Sequence, residues 1–150
     1  MLLSPHFSLA ELTRSQWAIR HGVANEPSPQ ALARLTDLCV AVLEPLRTFR
    51  AMPVMILSGY RNPEVNAAIG GSPTSQHMAE DGAAADIMIA GLTNAEILKA
   101  VVVLGLPYDQ LIEEFGSWVH VSHGPRNRRQ VLSARRTSGG TVYEPLKVAA

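Results

Sequence analysis

Seven apolar residues, Leu32, Leu35, Leu38, Cys39, Val42, Leu43 and Leu46, recur at three- and four-residue steps. That spacing lays one apolar stripe along a helix and obliges the rest of the chain to cover it. Ser28 reads as the helix N-cap with Pro29 at the first helical position, and the pattern runs to about Arg50. The stripe is core material, and Cys39 within it reads as a buried, inert thiol. As the sole cysteine it cannot form an internal disulfide. Upstream, Ser8 and Glu11 stand at capping-box spacing and predict a short helix to about Arg20, before the turn-rich break "ANEPSPQ".

Strand patterns cluster later in the chain. "PVMILSGYR" reads as a strand ending at a glycine turn, and "NPEVNAAIGG" as a short helix closed by a glycine pair. A loop holding His77 precedes a second strand, "AADIMIA". Thr93 and Glu96 form another capping box for "NAEILKAVVVLG", stopped by Gly105 and Pro107. "YDQLIEEF" and "WVHVSH" read as two further strands joined around Gly116. Helices first and strands later predict an α+β fold with a small, mostly antiparallel sheet packed with helices. With 150 residues and neither an internal repeat nor a low-complexity linker, one domain spanning 1–150 is expected.

Composition narrows the partners. A chain that is 47% hydrophobic and 17% charged is globular rather than disordered. Its formal net charge of zero leaves no electrostatic footprint for nucleic acid or anionic lipid. The basic stretch "RNRRQVLSARR" is the local exception and reads as solvated surface. No apolar run approaches the roughly 20 residues of a membrane span. "MLLSPHFSLAEL" lacks a basic n-region, so the expectation is a protein made in the cytoplasm without a signal peptide.

The chemistry gathers at strand ends. His77 lies in the loop before a strand and Asp86 at that strand's start. Alternation in "WVHVSH" puts Trp118, His120 and Ser122 on one face and Val119, Val121 and His123 on the other. His77, Asp86 and His120 therefore make a three-ligand set, with His123 as the disfavoured rival of His120. Zinc accepts these donors, and three protein ligands with an open position characterise a catalytic site. Glu113 and Glu114 lie shortly before His120 on opposite faces of a strand, so at most one faces the metal. Such a carboxylate would take a proton from water and pass it to a leaving group. Arg61, on the turn of "SGYR", suits bidentate capture of a substrate carboxylate.

In this order, "SGYRNPEVNAAIGGSPTSQH", "AADI" and "WVHVS" resemble the zinc D-Ala-D-Ala carboxypeptidase-like peptidoglycan peptidases, which share the Hedgehog/DD-peptidase fold. "LSPHFSLAELTRSQ" and "VLEPLR" look like the short phage-type members, so the resemblance covers most of residues 3–123 and stops at the tail from about Gly124. The family motif is SxHxxGxAxD, matched here by Ser75, His77, Gly82, Ala84 and Asp86. The family's spacing from histidine to aspartate is seven positions, whereas here it is nine, which reads as a two-residue insertion in "MAEDG" that a loop tolerates at small entropic cost. The resemblance implies zinc ligands His77, Asp86 and His120, carboxylate binding by Arg61, and a hydrogen bond near the substrate from Ser75. Many relatives carry the catalytic glutamate three residues before the last histidine, where this chain has Ser117. The phage-type pattern instead selects Glu114, with Glu113 in reserve. The implied activity is that of an endolysin-like zinc metallopeptidase hydrolysing peptidoglycan stem peptides or crosslinks, as a D,D-carboxypeptidase or endopeptidase, on the cell wall in phage lysis or from a virion. The alternative is a catalytically impaired peptidoglycan-binding or virion structural module of the same fold.

Overall fold

The computed structural model describes residues 1–148. The apolar stripe forms the expected helix, with Ser28 Oγ accepting from the Ala31 amide ahead of Pro29. Helix α3 (Pro29–Leu38) passes through one π-helical segment, Cys39–Leu43, into α4 (Glu44–Arg50). Leu35, Leu38, Cys39, Val42, Leu43 and Leu46 are fully buried, and Leu32 packs against the same core. Burial, then the charges of Glu44 and Glu11, push the Cys39 thiol up to about 12, so it stays protonated and inert.

At the N-terminus, β1 (Leu2–Ser4) and β2 (Phe7–Ser8) form a short antiparallel ribbon. Ser8 and Glu11 make the reciprocal capping box at the start of α1 (Leu9–Thr13). The helix expected to reach Arg20 is two helices. Arg14 is extended, and Ser15 caps a new start at α2 (Gln16–His21) by accepting from the Ala18 amide. A second serine able to satisfy orphan amides lets the chain turn there.

Strands β3 (Val54–Ser58), β4 (Ala83–Ile89), β5 (Gln110–Glu114) and β6 (Trp118–His123) join β7 (Gln130–Thr137) and β8 (Gly140–Pro145) in one sheet. Its order is β3-β4-β6-β5-β7-β8, and every neighbouring pair is antiparallel except β5 and β7. The α+β class with a mostly antiparallel sheet is thus observed, while the tail read as solvated surface adds two strands. Its arginines still face solvent: Arg126, Arg129, Arg135 and Arg136 are exposed.

Alternation divides the sheet. Ala83, Ala85, Ile87 and Ile89 of β4, Leu111 of β5, and Val119 and Val121 of β6 join the core with α3 and α6 (Asn94–Val103). Asp86, Ile112, Glu114, Trp118 and His120 take the opposite face and line a cleft. Gly59, just beyond β3, runs against α1, where the Tyr60 amide donates to the Leu12 carbonyl at 2.6 Å. A Cβ on Gly59 would collide with that carbonyl. Gly59→Ala is therefore expected to destabilise the protein by about 2 kcal/mol through backbone displacement. Gly139→Ala, where a Cβ would make only an ordinary contact with Thr137 Oγ1 at 3.9 Å, should stay within about 0.5 kcal/mol of the parent. Urea midpoints at constant m-value check both.

Candidate metal centre

His77 sits in a 3₁₀ turn, Gln76–Met78, whose start is capped by Ser75 Oγ accepting from the His77 amide at 3.2 Å. Ala79 closes the turn in the left-handed region at φ 55°. The His77 ring is aimed by its Nδ1–H, which donates to the Gly59 carbonyl at 2.7 Å. A carbonyl only accepts, so this bond fixes the tautomer and leaves the Nε2 lone pair facing the cleft. Asp86 lies in the middle of β4 rather than at its start, directly across from His120 of β6. Asp86 Oδ1 is 3.3 Å from His77 Nε2 and 3.1 Å from His120 Nδ1. All three side chains are buried, and one donor atom from each lies within 4.8 Å of the others.

The donor chemistry suits a cation. With the His77 proton committed to Gly59, Nε2 and Asp86 Oδ1 oppose each other as lone pairs in a desolvated site. Such a contact needs a positive charge between its members, supplied by a proton or a metal ion. Two imidazoles and a carboxylate, reaching in from a loop and two strands with the cleft on the remaining side, form a group able to hold a metal ion.

The surrounding charges respond to this crowding. Burial works against the Asp86 carboxylate, yet the adjoining imidazoles of His77 and His120 outweigh it and hold Asp86 well below the usual carboxylate range. Burial pushes His77 down despite Asp86. In His120 the hydrogen bond and charge of Asp86, with Glu114, overcome burial and raise it. Burial raises Glu114, partly offset by His120 and Arg61.

Glu114 Oε1 stands 3.4 Å from His120 Nδ1 on the cleft face. Glu113 points the other way and accepts from Asn94 Nδ2 at 3.0 Å, beside α6. Strand alternation leaves both open and the phage-type pattern selects Glu114; in the folded sheet Glu114 is the one on the cleft face. His123 also lies apart, its Nδ1 donating to the Pro107 carbonyl at 2.6 Å. Arg61 lines the cleft, and its amide donates to the His77 carbonyl at 2.9 Å. Burial lowers its pKa, opposed by Asp86 and Glu114, and its buried Nε has no partner among the described residues. An orphaned guanidinium donor in a cleft suits an arriving acceptor. Ser75 lines the same cleft, which encloses about 860 Å³.

The loop between His77 and Asp86 is tied at both sides. Glu80 is exposed, whereas Asp81 pairs with Arg126 at 2.6 Å. Gly82, at φ 80°, runs so close to His123 and Gly124 that a Cβ would strike their backbone. A brace that the sequence reading missed lies beneath. Gln76 Nε2 donates to the Asp81 carbonyl and to Asp109 Oδ2, both at 2.8 Å. Asp109, fully buried, also accepts from the Arg128 amide, Nε and Nη2. Nothing in "PYDQL" distinguishes a buried aspartate from a turn residue, because its partners lie 33 and 19 positions away.

Residues 5–122 match the family model described as Peptidase M15. The chain belongs to that peptidase family, and its helices packed on a sheet fit the family's fold. Comparison with curated proteins gave no match.

Removing the Asp109 carboxylate should be severe, since it leaves Gln76 and Arg128 donors without their acceptor. Asp109→Ala is expected to lose about 3 kcal/mol at neutral pH. The hydrogen bonds from Arg128 depress the folded-state pKa of Asp109. Its contribution is therefore complete above about pH 4, the unfolded value, and fades as pH falls towards the depressed folded one. Urea unfolding of wild type and variant should show a gap that is wide at pH 7 and narrows with acidification.

Proposed function

We propose that this protein is a zinc-dependent peptidase of bacterial peptidoglycan, cleaving peptide bonds of stem peptides or crosslinks, with residues 1–150 as one domain. The observation that carries the reading is the convergence of His77, Asp86 and His120 beside Glu114, at the floor of a cleft that Arg61 also lines. Family membership supports a peptidase, and the resemblance to phage-type enzymes supports action on the cell wall in lysis or from a virion.

His77 Nε2, an Asp86 oxygen and His120 Nδ1 would hold the ion. Zinc, when bound, supplies a Lewis-acid charge that polarises a carbonyl and acidifies water. The chain's own residues do the rest. Glu114, buried enough to favour taking a proton, accepts one from the attacking water and delivers it to the departing amine. Arg61 turns its unpaired guanidinium edge to a substrate carboxylate and thereby sets which bond lies over the centre. The Ser75 oxygen accepts from the His77 amide, which leaves its O–H free to donate to substrate.

Metal analysis of purified protein should find one zinc per chain, and a chelator should lower the melting temperature. No zinc, with a melting point indifferent to chelator, would sink the metal reading. Glu114→Ala should keep its zinc while losing about 10³ in the rate at which new termini appear in purified cell wall. Equal rates for wild type and variant remove Glu114 from the chemistry. Zinc binding without any cleavage by wild type favours the non-catalytic binding module instead.

A further inference from the structure

The matched segment ends at residue 122, yet the cleft does not. Leu132 and Arg136 of β7 and Thr141 and Tyr143 of β8 line the same cavity as Arg61 and the His77–Asp86–His120 group. We propose that this C-terminal hairpin forms a second anion-binding subsite, centred on Arg136, that takes a carboxylate from the interior of the peptide substrate. The proposal rests on reading the cleft as a peptidase site and adds a specificity element to it.

The register builds the subsite. Parallel pairing sets Ile112 beside Leu132 and Glu114 beside Ala134, so the cleft face of β5 continues onto β7 as Leu132, Ala134 and Arg136. Antiparallel pairing then places Tyr143 opposite Ala134 and Thr141 opposite Arg136. The Phe115 amide donates to the Ala134 carbonyl at 2.9 Å and pins the hairpin to the strand that carries Glu114. Arg136 lies two residues beyond Ala134, about 7 Å along the strand. That offset is the length of one or two substrate residues.

The chemistry of Arg136 differs from that of its neighbours. Arg126 pairs with Asp81, Arg128 with Asp109, and Arg135 with Glu144. Arg129 lies over Tyr108 and reaches the Leu106 carbonyl. Arg136 has no carboxylate partner among the described residues, and its guanidinium lies over the Phe115 ring, 4.1 Å from the centroid. Stacking immobilises the plane of a guanidinium and leaves its N–H edges free. Phe115 in turn meets Trp118 edge-on at 5.8 Å, two residues before His120. A rigid aromatic pair thus joins an available cation to the metal centre. With Arg61 also lining the cleft, the two guanidinia suit a peptide that bears two carboxylates, one of them away from its end. Stem peptides carry such interior carboxylates on γ-linked glutamate and on diaminopimelate.

The test uses two pairs of synthetic stem pentapeptides and the zinc-loaded protein. One pair differs only in whether the glutamate α-carboxylate is free or amidated, the other only in whether the free carboxylate of diaminopimelate is. Binding is followed by tryptophan fluorescence, since Trp118 lines the cleft, and cleavage by mass spectrometry. Wild type should prefer the free acid by about tenfold in at least one pair, on the scale of one charge-assisted contact. The responsive pair names the carboxylate that is read. Arg136→Gln, a change at an exposed position, should erase the preference, bringing the free-acid to amide ratio to about one. Arg135→Gln, whose side chain pairs with Glu144, should keep it. Equal binding of free and amidated peptides by wild type, binding of neither, or equal losses in the two variants overturns the subsite. A preference that depends on Arg136 without any cleavage keeps the subsite and rejects the peptidase, whereas cleavage without preference does the reverse.

Discussion

The cross-strand pairing of Asp86 with His120 is the constraint on which the rest of the structure depends. In an antiparallel pair, directly opposed residues share a face, so this register brings a carboxylate and an imidazole to 3.1 Å without help from any loop. A slip of one residue would set Asp86 opposite Val119 or Val121 and leave Asp86 and His120 on opposite faces of the sheet. The apolar residues on the core face therefore fix the site as firmly as the polar residues that compose it. His77 is then added from outside the sheet, aimed by the Gly59 carbonyl at the end of β3.

Around this centre the protein relies on hydrogen bonds in buried or partly buried settings rather than on exposed ion pairs. Ser75 caps the turn that carries His77, Gln76 holds the loop to Asp109, and the Arg61 amide bonds the His77 carbonyl. The ties from Gln76 to Asp109 and from Arg61 to His77 join segments distant in sequence, and all lie in partly or fully buried settings where an unmet donor is costly. The loop between His77 and Asp86 keeps its unpaired stretch in Ala79–Gly82, between the capped turn and the first paired residue of β4. Both ends stay fixed while the middle bulges towards Arg126.

How much was legible varies by residue, for physical reasons. The stripe from Leu32 to Leu46 and the caps at Ser8, Ser28 and Thr93 are local devices, and each stands where the pattern puts it. The π-helical segment at Cys39–Leu43 lies just ahead of Pro45, which has no amide N–H to continue the i→i−4 ladder, and the break at Arg14 comes with a competing cap at Ser15; hydrophobic periodicity registers neither. His77, Asp86 and His120 were recognisable as donors because loop, strand and alternation are short-range patterns, and the fold brings those three together. Asp109 and Arg128 were invisible because their roles exist only across the fold. The hairpin was hidden by its arginines, which mask a strand whose partner, β5, begins 20 residues earlier.

By itself the sequence determined the helix that fills the core, the α+β order of elements, and which side chains could serve as metal donors, because each is written in neighbours a few positions apart. Tertiary structure alone decided which arginines are already paired and that the tail walls the cleft. Those outcomes depend on register and on contacts between distant segments, and a single residue of register reverses the face that a side chain presents.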